Sequence, residues 1–145
     1  MKEQLVTKKI LNWYDLNKRS LPWRKNVSNQ KKQYFTLVSE FMLQQTQVVT
    51  VIPYFNKFIK KIPNLRSLAK ISDKKLIKLW EGLGYYSRAK NLKKTAQFII
   101  KNFKGKIPNN FDDLISLPGI GKYTASAILA IAFNKPYIPL DGNIE

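Results

Sequence analysis

Glu40 is the residue whose neighbours best equip it for chemistry. It is the only charge between residues 34 and 43, where Tyr34, Phe35, Leu37, Val38, Phe41, Met42 and Leu43 leave no polar face. A helix that is apolar all round is a buried helix. Taking a carboxyl group out of water penalises its ionised form and raises its pKa. A carboxylic acid that stays protonated near neutrality is what a general acid requires. The same Glu could instead be neutralised by one of the many Lys and Arg, and the helix pattern alone does not choose. A second carboxylate, Asp141, stands in Leu140-Asp141-Gly142-Asn143, where it could equally cap a helix. A third feature is Pro118-Gly119-Ile120-Gly121-Lys122. Two glycines one residue apart permit positive φ and close backbone approach. The N–H groups of such a turn, with the N-terminus of the next helix, form a nest for an anion.

Composition narrows what else is possible. The 145 residues hold 26 Lys+Arg against 9 Asp+Glu, with no His and no Cys, for a net charge of +17. A disulfide framework is excluded, as is a metal site built on thiolate or imidazole. Chemistry run by carboxylates remains. At 44% hydrophobic and 12% aromatic the chain is too apolar for a disordered basic tail, and its length suits one domain. The longest strongly apolar stretch, residues 125–133, falls short of the ~20 residues of a membrane span. The first residues lack the apolar core of a signal peptide. The expectation is a cytoplasmic, bacterial-type, nucleoid-associated monomer with no membrane partner. Such a charge repels itself unless it meets a polyanion, so nucleic acid is the expected partner. A Lys-rich surface from a biased genome would give the same count.

These groups must be positioned by helices. Leu5, Ile10, Leu11 and Tyr14 predict a first amphipathic helix, closing near Ser20-Leu21-Pro22-Trp23. The polar stretch from Asn26 to Lys32 reads as a loop before the buried helix of Glu40. Pro53 reads as the opening of a helix with Tyr54, Phe55, Phe58, Ile59 and Ile62 on one face. Ser72 caps a helix that turns Leu76, Leu79 and Trp80 inward and ends at Gly82. Another runs through Leu92, Ala96 and Ile99 to Gly105, and Asn110 caps a short one through Leu114 and Ile115. The glycine turn then leads into an Ala/Ile-rich helix from Lys122 to Phe133. No segment alternates with period two for long. The fold class is all-α, with short loops.

The glycine turn, lying between two helical patterns, resembles a helix-hairpin-helix. That motif binds DNA phosphate without regard to sequence, and its carbonyls can hold a monovalent cation. Several motifs run in order along the chain: Glu40-Phe41-Met42-Leu43-Gln44-Gln45-Thr46-Gln47, then Gly82-Leu83-Gly84-Tyr85-Tyr86-Ser87-Arg88-Ala89, then the hairpin, then Leu140-Asp141-Gly142-Asn143. With Leu21-Pro22-Trp23-Arg24 and Val51-Ile52-Pro53-Tyr54-Phe55, the sequence closely resembles the A/G-specific adenine DNA glycosylases of the endonuclease III, helix-hairpin-helix superfamily, from about Trp13 to its last residue.

The resemblance implies a helix-hairpin-helix DNA glycosylase fold. Residues 1–26 would be a helical segment of a second, cluster-bearing lobe. Residues 27–133 would form a six-helix lobe with the hairpin at 111–133, and residues 134–145 a catalytic Asp loop opening the rest of the second lobe. It implies hydrolysis of the N-glycosidic bond of adenine mispaired with 8-oxoguanine or guanine in double-stranded DNA. Glu40 would protonate adenine, Asp141 would stabilise the oxocarbenium-like sugar, and Asn143 and Tyr123 would complete the site. Gln45 and Tyr85 would wedge into the duplex as adenine is flipped out. Gln44 and Thr46 would lie against the opposite bases, and Gly119, Gly121 and Lys122 would present the phosphate-binding hairpin. The bifunctional branch of the superfamily carries a Lys where this chain has Tyr123, so the implied enzyme is monofunctional. Lys122 is rotated away by about 100°. Tyr123 could also be an ordinary core aromatic.

The family also carries a [4Fe–4S] cluster on four cysteines beyond the Leu-Asp-Gly-Asn motif, and a further domain that reads 8-oxoguanine. This sequence has no Cys and only four residues after Asp141. The expectation is an N-terminal fragment of a longer protein, with apolar surface between Leu5 and Tyr14 left exposed. Two alternatives stay open: an endonuclease III-like glycosylase for another damaged base, and a non-catalytic DNA-binding fragment.

Overall fold

One helix, α2 (Asn29–Leu43), is buried on nearly every side over its last two and a half turns. Ser28 starts it by accepting a hydrogen bond from the Lys31 backbone N–H at 3.3 Å. Leu37, Val38, Phe41 and Met42 are fully enclosed. Two of its buried polar side chains bond back to their own helix: Thr36 Oγ1 donates to the Lys32 carbonyl and Ser39 Oγ to that of Thr36. Glu40 is the one buried residue of α2 that brings a charge.

The computed structural model describes residues 1–140. Among these the chain is all-α, without strands: α1 (Lys2–Asn17), a 3-10 turn (Pro22–Arg24), α2, α3 (Val48–Lys61), α4 (Leu65–Lys70), α5 (Asp73–Trp80), α6 (Ser87–Asn102), α7 (Phe111–Ile115) and α8 (Lys122–Phe133). α8 packs most extensively on α2. Its alanines 125, 127, 130 and 132 are small enough to let two helix backbones approach. α3, α6 and the 3-10 turn also pack on α2, and α4 lies along α6. One continuous core results. Its aromatic members meet edge-on: Trp23 on Phe55 at 5.3 Å, Phe35 on Phe55 at 5.5 Å and Phe58 on Trp80 at 6.1 Å. Buried Tyr34 donates to the Ile62 carbonyl at 2.7 Å, and burial pushes its phenol pKa up.

The structure corrects two boundaries. The segment from Asn26 to Lys32 is not all loop, because helix begins at Asn29 behind the Ser28 cap. Its first turn faces water, so no apolar period marks it. Pro53 does not open α3 but lies inside it, and the helix starts five residues earlier at Val48. The carbonyl deprived of its donor by Pro53 belongs to Val49, a residue exposed to water. α4 is an addition. Asn64 and Ser67 form a reciprocal capping box around it, but six residues are too few to show a period.

α1 has no buried residue, and Leu5, Val6, Ile10, Leu11, Trp13, Tyr14 and Leu16 are all exposed. The exposed apolar surface expected there is what the structure has. Removal of residues 1–17 should therefore leave the urea-unfolding free energy within about 0.5 kcal/mol of the intact chain. Leu37→Ala should cost about 2–5 kcal/mol in the same measurement. A large loss on removing α1 would contradict this division.

Candidate active site

Glu40 is 7% exposed. Burial raises its pKa to about 7, with the positive charge of Arg24 on the neighbouring 3-10 turn pulling the other way. No ion pair to Glu40 forms among the described residues, where Lys93–Asp73 is the one salt bridge. The neutralised-ion reading is thus not the arrangement found. Glu40 is a carboxyl group whose pKa burial lifts to about 7, held on a helix enclosed on nearly every side.

Four residues beyond Glu40 the helix gives way to a turn. Gln45 there has φ +60°, a left-handed conformation unfavourable for a non-glycine residue. Tyr85 repeats this on the loop between α5 and α6, with φ +46°. Both side chains are exposed, Tyr85 at 61%. The Tyr85 loop is bonded along its length. Trp80 Nε1 donates to the Gly84 carbonyl at 3.1 Å, Tyr54 Oη to the Glu81 carbonyl at 3.0 Å, and the Gly82 N–H to Tyr86 Oη at 3.3 Å. Two exposed, planar side chains thus stand on strained, well-braced turns. Backbone strain of this kind persists where the surroundings enforce it. Gln44 turns inward instead. Its Nε2 donates to the Gly119 carbonyl at 3.3 Å and to Thr124 Oγ1 at 3.4 Å, tying the end of α2 to the glycine turn. Thr46 is half-buried beside it, with its N–H on the Leu43 carbonyl.

The two glycines of the hairpin turn serve different purposes. Gly119 has φ +77°, and a Cβ there would lie 2.9 Å from Asn91 Cβ and 3.0 Å from a Phe41 ring carbon. It is required by packing. Thr95 Oγ1 holds the same turn from α6 through the Pro118 carbonyl at 2.7 Å. Gly121 has an ordinary negative φ of −94°, and among the described residues a Cβ there would meet nothing within 4 Å. No contact among the described residues requires glycine at 121. Lys122 is exposed beside it. Tyr123, at the start of α8, is 42% exposed and so is no core aromatic. The carbonyls of Leu117, Pro118 and Gly119 already accept protein hydrogen bonds, so a monovalent cation would have to share them.

Glu40, Gln44, Gln45, Thr46, Gly119, Gly121, Lys122 and Tyr123 thus gather around the joined end of α2 and start of α8, and the Tyr85 loop flanks them. Asp141 and Asn143 lie outside the described residues. The cluster implied by the resemblance finds no ligands here: the chain has no cysteine, and no group of metal-binding side chains forms among the described residues. Two residues went unassigned in the sequence reading. Arg24 acts on Glu40 through its charge, and Arg88 is buried behind both strained turns. Arg88 lay in plain view within the Gly82–Ala89 motif, but nothing in its spacing shows that it is buried.

Two stability measurements test this geometry. Gly119→Ala should cost about 1–3 kcal/mol, from strain and overlap, while Gly121→Ala should stay within about 0.5 kcal/mol of wild type. Equal losses would refute the assignment. The Glu40 pKa is raised from 4.5 to about 7, so its contribution to stability is full below pH 4.5 and is lost as pH rises through about 7. Glu40→Gln lacks this dependence. Relative to the variant, wild type should lose about 3 kcal/mol over that window, and parallel stability–pH curves would show the burial cost to be absent.

The chain is 50% identical over 137 residues to the adenine DNA glycosylase of Buchnera aphidicola subsp. Baizongia pistaciae, covering 94% of this chain and 38% of that protein. It is 43% identical over 140 residues to the adenine DNA glycosylase of Homo sapiens, covering 93% and 26%. It thus spans about two fifths of the length of the Buchnera relatives it matches. The backbone is similar to that of a thermostable thymine-DNA glycosylase, with a TM-score of 0.84 and 28% identity over 98% of this chain and 64% of that one. It shares its fold with endonuclease III in a non-covalent DNA complex, at a TM-score of 0.78 and 19% identity over 99% of this chain and 66% of that one. Residues 38–145 match the HhH-GPD superfamily of base excision DNA repair proteins, and the chain belongs to that family.

Proposed function

We propose that this chain carries the acid-bearing lobe of a monofunctional adenine DNA glycosylase, acting on adenine opposite 8-oxoguanine or guanine in duplex DNA. The observation that carries the reading is Glu40, a buried carboxyl group with a pKa near 7 between two braced, strained turns and a glycine hairpin. Its relatives named adenine DNA glycosylase support the choice of base.

The chemistry follows from the groups. DNA phosphate docks at the hairpin, where Gly121 leaves the backbone open. Gln45 and Tyr85 enter the stack as adenine leaves it, and every base offers a face to a planar side chain. Neutral Glu40 gives its proton to a ring nitrogen of adenine. The C1′–N bond then breaks with its electron pair leaving on neutral adenine. Asp141 is assigned the ionised partner that stabilises the oxocarbenium-like sugar; water then adds at C1′ and gives up a proton to the Glu40 carboxylate, restoring the acid. Asn143 and Tyr123 are assigned to hold that site. With tyrosine at 123 no amine is presented for a Schiff base, so the strand stays intact. Gln44 supports the site from within, by fixing the hairpin to α2. On this reading any [4Fe–4S] cluster is held by residues other than these 145, and the working protein is a cytoplasmic monomer.

The decisive assay is base release from duplexes bearing A:8-oxoguanine, A:G, G:T and an oxidised pyrimidine, using this chain and the protein extended to the length of its curated relatives. Adenine should be released without strand cleavage. Glu40→Gln should lower the rate by about 10²- to 10⁴-fold. Because the acid works in its protonated form, the rate should fall as pH rises through about 7. Release of thymine or the oxidised pyrimidine in place of adenine would move the protein to another branch. Steeply salt-dependent binding with no base release by either protein would leave only a DNA-binding lobe.

A further inference from the structure

Arg88, the second residue of α6, is 6% exposed, and no carboxylate among the described residues pairs with it. Its guanidinium is spent on backbone carbonyls. Nη1 donates to Met42 and Gln44, both at 2.6 Å, and to Phe41 at 3.3 Å. Nη2 donates to Gly84 at 3.0 Å and Leu83 at 3.4 Å, and Nε to Tyr85 at 3.4 Å. Its face lies 5.5 Å from the Trp80 ring centroid and 5.4 Å from that of Tyr85. The first group of carbonyls is the C-terminal end of α2, where the last turn has no intrahelical donors and the helix dipole favours a cation. The second group is the loop between α5 and α6.

The two residues with costly left-handed backbone near the site, Gln45 and Tyr85, adjoin or belong to these groups. Gln45 follows the bonded Gln44 carbonyl, and Tyr85 follows the bonded Gly84 carbonyl and supplies its own. We propose that Arg88 is a positioning residue that holds both turns in their left-handed conformations and fixes the distance between them. A planar guanidinium can serve both groups at once because its five donors diverge in one plane. A Lys ammonium is a point charge with three donors and cannot span them. The functional half of the proposal rests on the glycosylase reading, in which Gln45 and Tyr85 enter the duplex; the structural half does not.

The test has an arm for each half. In the chain without DNA, Arg88→Lys should move the Cα and Cβ chemical shifts of Gln45 and Tyr85 together, away from left-handed values. Lys104 and Asn134, also at positive φ but not adjoining any carbonyl that Arg88 holds, should keep theirs. Retention of left-handed shifts at either residue overturns the proposal. A wild-type measurement covers the case in which the variant does not fold. The Arg88 guanidinium protons should exchange slowly and resolve individually, and a freely rotating, fast-exchanging guanidinium overturns the proposal. In the DNA arm, Arg88→Lys should lower adenine release at saturating A:8-oxoguanine duplex by about tenfold or more, with affinity for undamaged duplex within about twofold. An equal loss of both would mean general unfolding of the binding face and overturns positioning. Failure of both this chain and the protein extended to the length of its relatives to release adenine would sink the glycosylase reading, while the chemical-shift result still decided the role of Arg88.

Discussion

The whole arrangement depends on the enclosure of α2. A helix with no wet face must be covered on every side, and α3, α6, α8 and the 3-10 turn do so. That enclosure makes Glu40 a weak acid, since a carboxyl group on a surface helix would ionise well below neutrality. It also fixes where α2 ends, because the carbonyls of its last turn must find donors in a space with little water. Arg88 and the Gln44 bond to the hairpin meet that need. The strained turn, the glycine hairpin and the acid are thus bound to the same rigid body. Burying a carboxyl group costs stability at neutral pH, and the large apolar core offsets it.

Much of this was legible in the sequence because the signals were local and periodic. Helices α5, α7 and α8 fall where Ser72, Asn110 and Gly121 predict them. The burial of Glu40 followed from its seven apolar neighbours. What escaped lacks a local signature. The start of α2 is a wet turn, identified by one Ser28 hydrogen bond. Pro53 reads as a helix opening, yet an exposed stretch lets the missing bond go to water. The inward turn of Gln44 and the bonds of Arg88 to the carbonyls of Phe41, Met42 and Gln44 join residues 44 or more positions apart, which no spacing rule reaches. The difference between Gly119 and Gly121 is invisible to a motif that reads both as glycine.

The hairpin and the two turns divide the work differently from a loop-built site. Each is tied to the core through backbone carbonyls rather than through side-chain ion pairs: Thr95 on Pro118, Gln44 on Gly119, Trp80 on Gly84 and Tyr54 on Glu81. Backbone acceptors survive substitution at the positions that carry them. The hydrogen bonds that fix the framework therefore do not depend on the side chains at those positions.

The single salt bridge among the described residues, Lys93 with the exposed Asp73, has a consequence for how such a protein would search. In a chain of net charge +17, almost none of the positive charge is used up internally. On the proposed reading, these cations displace the counterions condensed on a duplex's phosphates, so association is driven by ion release rather than by contacts to particular bases. Attraction of that kind has no preferred register along a duplex. It permits sliding, and on the proposed function the hairpin would pass from phosphate to phosphate while the two strained turns probe the stack. On the glycosylase reading, the chain's surplus of lysine serves one-dimensional travel, and selectivity is left to the few residues at the end of α2.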